Sequence, residues 1–173
     1  MNYIGTDPRE GKVFQVVSTN FPDAHTSTAT DWTDVSGFAV TITPSSTSSK
    51  INVEVVLQVG ADNWFGMNIV REVSGASDVI INQGNDTLGS KQNSTFGSAS
   101  CQGNDKLKAS TRTFSLVYLD SPATILAVTY QIQTVARYGT TDGTVYINRP
   151  HTWNDDSISG RVTSSNIIVS EVE

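Results

Sequence analysis

The chain offers few side chains with which to do chemistry. Its 21 serines could supply a nucleophile. A Ser–His–Asp relay would have to recruit one of them, but no Gly-x-Ser-x-Gly elbow occurs and no other sequence feature singles out one serine. The two histidines, His25 and His151, stand alone in polar stretches, where the expectation is an exposed loop position. Zinc needs three or four converging ligands, which two histidines and one cysteine do not make without unsupported carboxylates. The one cysteine, Cys101, excludes an internal disulfide, and the nearest basic residue in sequence is Lys106. A thiol without a basic neighbour stays protonated and inert, and this usage fits folding in a reducing compartment. Asp155 and Asp156 are adjacent, so in a loop they point apart and read as a solvated turn, not as an acid/base pair. No Asp-x-Asp-x-Asp-Gly run is present to wrap calcium. Gly5, Gly11 and Lys12 faintly resemble a phosphate loop, but the spacing is one residue too long. Val13 takes the place of the required hydroxyl residue and no helix pattern follows. The sequons at Asn85 and Asn93 matter only on a secretory route, and polar Met1–Lys12 does not read as a signal peptide. No catalytic, metal-binding or cofactor-binding residue is expected, and the chain reads as no enzyme.

Recognition is better supplied. Trp64, Tyr138 and Trp153 sit beside turns or in loops, and His151 shares a polar loop with Trp153. Aromatic rings at loop tips stack on sugars or anchor a protein partner, and otherwise cap the ends of a core. Trp64, Tyr138, His151 and Trp153 are therefore the candidate contacts to a partner or receptor.

The elements that must carry these residues follow from composition and period. A chain of 173 residues makes one domain with room for a core that needs no staple. Eleven basic against 17 acidic residues leave a net charge of −6, a poor match for nucleic-acid phosphates. No apolar run approaches the ~18 residues of a membrane helix, so membrane insertion is not expected. Charged residues are 16 % of the chain, and Ser and Thr, 21 of each, make the polar surface one of hydroxyls and amides. Val and Ile total 31 against six Leu, and β-branched side chains favour pleated sheet over helix.

Met1–Gly11, with Gly5, Pro8 and Gly11, reads as an extended lead-in; residues 12–173 read as the folded domain. Strands are expected at Lys12–Thr19, Phe38–Thr43, Ile51–Val59, Phe65–Glu72, Asp78–Asn82, Thr111–Leu119, Leu126–Arg137, Thr144–Asn148 and Ser165–Val172. Asn20–Asp34 is expected to cross the surface. Phe38, Val40 and Ile42 share one face of their run, and Ile51, Val53, Val55, Leu57 and Val59 one face of the next. The intervening Pro44–Lys50 is a turn, so the two runs are expected to pair as an antiparallel hairpin. Leu126, Val128, Tyr130 and Ile132 form another apolar face. The long polar stretch Gln83–Ser110 is expected to hide one or two short strands, around Thr95–Phe96. Eight or nine strands without an amphipathic helix make an all-β antiparallel sandwich of jelly-roll type.

Three segments carry more than a generic pattern: Val35–Lys50 (VSGFAVTITPSSTSSK), Leu116–Tyr130 (LVYLDSPATILAVTY) and Val162–Val172. Together with Phe14–Val17 (FQVV) and Tyr3–Pro8 (YIGTDP), they resemble a β-rich domain of tail-fibre and other appendage proteins in the virions of tailed bacteriophages, cyanophages among them. The likeness is weakest over Asn63–Ser110. It implies a non-enzymatic structural protein located in the virion, assembled in the host cytoplasm, that partners other virion proteins and forms a homotrimer. It also implies a tail fibre or appendage that attaches to a host surface glycan or protein. Met1–Gly11 would be the attachment segment to the particle, through Tyr3, Ile4 and Pro8. A capsid decoration protein of the same fold is the alternative, since no coiled-coil or repeat shaft is present. A carbohydrate-binding domain built on Gln83–Ser110 and Arg149–Gly160 is the second. No cofactor is expected under any of them.

Overall fold

The structure is a computed structural model that describes residues 12–61, 64–85, 93–98, 110–138, 141–151 and 161–173. Described residues form strands and no helix. In chain order these are β1 (Val13–Phe21), β2 (His25–Ser27), β3 (Thr33–Ile42), β4 (Lys50–Ala61), β5 (Phe65–Val73), β6 (Val79–Ile80) and β7 (Phe96–Ser98). After them come β8 (Arg112–Asp120), β9 (Val128–Val135), β10 (Arg137–Tyr138), β11 (Thr141–Asp142), β12 (Val145–Ile147) and β13 (Ser165–Val172).

Two sheets stack face to face. In the first, β13 lies between β1 and β4, and β8 pairs the other side of β4. The short β12 continues the row of β13 along Val59–Ala61, and β2 continues the row of β1. In the second, β9 lies between β3 and β5, and β6 and β7 share the far side of β5. β10 and β11 pair apart from both sheets. All pairings are antiparallel, and they nest: first strand with last, β3 with β9, β4 with β8, β5 with β6 and β7. A long hairpin rolled up on itself gives this order, which is the jelly roll expected from the two-residue rhythm.

The inward faces are the ones the alternation marks. Phe38, Val40 and Ile42 meet Ile51, Val53, Val55, Leu57 and Val59 in one core, joined by Val128, Tyr130, Ile132, Ile167 and Val169. Phe21 stacks on Phe38 at 4.7 Å on one side of the sandwich, and Phe114 meets Phe65 and Phe96 edge-on at 5.7 and 6.0 Å on the other.

The expected hairpin of Phe38–Thr43 with Ile51–Val59 does not form. β3 pairs β9 in one sheet and β4 pairs β13 and β8 in the other. Alternation says that a strand has one buried face. It does not say whether its neighbour in sequence lies beside it or across the core. Leu126 also leaves its expected face: it is 51 % exposed, because β9 begins only at Val128. The connection before it turns through Ala123, which holds a left-handed φ of 52°. Asn20–Asp34 is more ordered than a surface crossing, since it holds β2 and the start of β3. Among the described residues of the polar stretch, β7 is a short strand of the kind expected there.

β3 carries a bulge between Asp34 and Ala39, where Gly37 takes a φ of 80°. Such an irregularity frees carbonyls from the ladder, and they need another donor. Gln131 of β9 supplies it, its side-chain amide reaching the carbonyls of Val35 and Phe38 at 2.9 and 3.3 Å.

Candidate functional site

The strands have two kinds of end, and the polar residues sort between them. At the end where β4 starts and β13 finishes, Glu171 takes an inward position in a strand otherwise filled by Ile167 and Val169. A buried carboxylate must be fully bonded. Ser45 donates its amide and its hydroxyl to Oε1 at 2.7 and 2.6 Å, and Ser49 its hydroxyl at 2.7 Å. The Gln15 amide reaches Oε2 at 2.9 Å. Burial alone pushes this carboxyl up, but the side-chain bonds from Ser45 and Ser49, the Ser45 amide and Gln15 outweigh it and hold the pKa at about 2. Glu171 thereby pins the Pro44–Ser49 crossover to the last strand and, through Gln15, to the first.

At the same end, Asp120 closes β8. Its Oδ1 accepts from Arg71 of β5 at 2.7 Å and its Oδ2 from the Tyr130 hydroxyl of β9 at 2.8 Å. The trio ties one sheet to the other through a nearly dry contact, with Asp120 and Tyr130 buried. Burial and the adjacent carboxylate push the Tyr130 phenol well above its usual range, with Arg71 opposing in part.

At the opposite end, Asn148 follows β12 with a φ of 65°. Its side-chain amide donates to the carbonyls of Phe21 and Asp23 at 2.6 and 2.9 Å, and its Oδ1 accepts from the Ser165 hydroxyl at 2.6 Å. Its backbone amide bonds the Gln58 carbonyl, and its carbonyl accepts from the Thr163 amide. The next residues run tight over β4: a Cβ on Gly60 would lie 2.5 Å from the Arg149 carbonyl oxygen and 3.0 Å from the Pro150 Cα.

Three of the four expected recognition residues fall at this second end. Trp64 stands just before β5, 40 % exposed. His151 packs its backbone against Gly60 and its ring edge-on to Tyr146 at 5.4 Å, with the Arg149 guanidinium 5.0 Å from the same ring. It is half-buried, which corrects the exposed loop expected of it. Tyr138 lies in β10, just past the end of β9 where Val135 pairs Gly66. The roll thus brings Trp64, Tyr138 and His151 to one end. Trp153 lies outside the described residues, as do Cys101, Asp155, Asp156 and the expected attachment residues Tyr3, Ile4 and Pro8. His25 is in β2, not in a loop, beside the Phe21 ring, and burial lowers its pKa.

Among the described residues no three His, Cys, Asp or Glu side chains gather as metal ligands. No described helix is long and apolar enough to cross a membrane. Sequence reading missed Glu171, Asp120, Asn148 and Gly60. Only Glu171 left a signal, a charge at an inward place in an alternating run.

No protein-family model and no curated protein sequence matches the chain. Solved structures do. One is described as the structure of infectious bursal disease virus Gx strain, with 13 % identity and a TM-score of 0.44, over 99 % of this chain and 44 % of that one. Another is the infectious bursal disease virus VP2 subviral particle, with 10 % identity and a TM-score of 0.36, over 100 % of this chain and 46 % of that one. The chain spans less than half the length of either.

Proposed function

We propose that the chain is a non-enzymatic structural protein of a tailed-bacteriophage virion, a tail fibre or appendage that takes part in host attachment. The observation that carries this reading is where the residues of the phage-like segments go. Ser45 and Ser49 of the first segment bond Glu171 of the third. Asp120 and Tyr130 of the second bond each other across the two sheets. These five polar side chains of the resembling motifs are used in holding the roll together, which is the use a building block has for them. Trp64, Tyr138 and His151 gather at the end away from these clamps, where a host glycan or protein would be met. Trimeric assembly and anchoring to the particle through Tyr3, Ile4 and Pro8 complete the reading.

Labelling of intact particles with antibody against the chain tests it. Label on the tail or its tip is expected. Label spread over the head gives the capsid-decoration alternative and overturns the attachment role. Release of reducing ends from host polysaccharide, abolished by changing one acidic residue, overturns the non-enzymatic assignment.

A further inference from the structure

Gly66 lies in β5 between Phe65 and Met67, which point into the core, so a side chain at this position would stand on the outer face of the second sheet. That space is already taken. A Cβ there would lie 2.8 Å from Cη2 of Trp32 and 3.1 Å from Cγ1 of Val135, the partner of Gly66 on β9. Trp32, one residue before β3, therefore seats the far edge of its indole over the Gly66–Val135 pair, and it is half-buried there. A glycine inside a strand marks such a close approach. Beside the ring, on the same face, Asp34 pairs Gln133. Ile132 points into the core, so Gln133 points out, and its amide donates to Asp34 Oδ1 at 2.8 Å in an exposed bond. That bond uses one carboxylate oxygen and one amide hydrogen. Asp34 Oδ2 and the other hydrogen of the Gln133 amide are left for further partners.

We propose that Trp32, Asp34 and Gln133 form a binding site for a neutral saccharide, with Gly66 as the positioning residue that seats the ring. The C–H face of a sugar ring lies on an indole as other apolar surface does. Two neighbouring hydroxyls fit the adjacent pair, one donating to Asp34 and one accepting from Gln133, because each hydroxyl can do either. Charge sets the class of sugar. Glu72 shares this outer face through its pairing with Thr129, and burial, then Asp34 and Asp78, push its carboxyl up. A uronate or sialate would bring a further negative charge toward these carboxylates, whereas a neutral sugar would not. Trp64, two residues before Gly66, and Tyr138, three after Val135, lie at the rim by chain position. The site names the ligand class of the proposed host contact, and its use on the particle rests on that reading.

Titration of the purified full chain tests the site, read by tryptophan fluorescence and calorimetry. The probes are neutral oligosaccharides of glucose, galactose, mannose and N-acetylglucosamine, with oligogalacturonate as the acidic one. At least one neutral probe is expected to bind with a millimolar or tighter Kd, and oligogalacturonate at least about tenfold more weakly. Trp32→Ala should weaken binding by about tenfold or more, and Trp32→Tyr should restore most of it. Asp34→Ala changes an exposed side chain, so it should weaken binding by about tenfold with the melting temperature unmoved. Gly66→Ala should also weaken it, by displacing the ring, and an unchanged Kd would remove the positioning role. Binding to none of the neutral probes, preference for the acidic one, or a Kd that neither Trp32→Ala nor Asp34→Ala moves overturns the site. Tail label without saccharide binding would overturn the site and keep the attachment role. Saccharide binding with label over the head would keep the site and overturn that role.

Discussion

Glu171 shows what one residue contributes when its surroundings are built for its charged form. Its folded pKa of about 2 lies well below the ordinary glutamate range. A depressed carboxyl stabilises the fold above the unfolded pKa, and the contribution is lost as pH falls through the interval toward the folded value. That interval is worth on the order of 3 kcal/mol. Stability measured by urea unfolding should therefore decline as pH falls from about 5 toward 2. Glu171→Gln should remove about 2 kcal/mol at neutral pH and flatten that decline, because the amide nitrogen that replaces Oε2 cannot accept from Gln15 and a neutral Oε1 accepts more weakly from Ser45 and Ser49. A wild-type curve no steeper than the variant's would show that the clamp is not formed. Tyr130 acts at the other limit. Its raised phenol keeps the fold intact below the usual range near 10, and stability is lost above it as only the unfolded chain ionises. Asn148 separates two opposed effects. Asn148→Gly would relieve the left-handed φ by roughly 1 kcal/mol but lose the side-chain bonds to Phe21, Asp23 and Ser165. A net loss of about 2 kcal/mol is expected in the same unfolding assay, and net stabilisation would contradict the bonding described.

At the scale of elements, the strands were legible and their partners were not. Val53 and Val128 occupy inward places marked by alternation, and both are fully buried. Val53→Asp or Val128→Asp should abolish the cooperative melting transition, since a buried unpaired charge costs several kcal/mol. The same alternation misplaced β3 beside β4, because period two reports a face and not a neighbour. The crossover between them is held by Glu171, more than 100 residues later in the chain, a dependence that no local window carries. Trp64 and His151 were legible as residue types beside turns, yet their gathering at one end depends on which strands begin and finish there. Gly60 was silent for a similar reason. Inside β4 a glycine is ordinarily a weakness, and its purpose appears only where the Arg149–His151 backbone crosses over it. Gly60→Ala should lower the melting temperature by several degrees, as a Cβ 2.5 Å from a carbonyl oxygen forces backbone to move. Gly75→Ala is the useful contrast: no atom lies within 4 Å of its Cβ, and its φ of 80° isolates the conformational cost from the steric one.

For the whole molecule, the question is whether folding and attachment are separable. The roll is closed by pairing its first strand with its last, from Val13 opposite Val172 to Phe21 opposite Ser165. The clamps at both ends use residues from Gln15 onward. Removing Met1–Gly11 therefore leaves every pairing and clamp described above in place. The truncated chain should melt within a degree or two of the full one and sediment with the same number of copies. Its loss should show only on the particle. In lysates infected with phage lacking the gene, the truncated chain supplied in trans should stay in the soluble fraction, whereas the full chain should cosediment with virions. Substituting Tyr3, Ile4 and Pro8 together should reproduce the defect without shortening the chain. Normal incorporation of the truncated form would move the attachment surface onto the roll itself. A drop in melting temperature would instead make the lead-in part of the fold, so the two outcomes distinguish a strap from a structural strand.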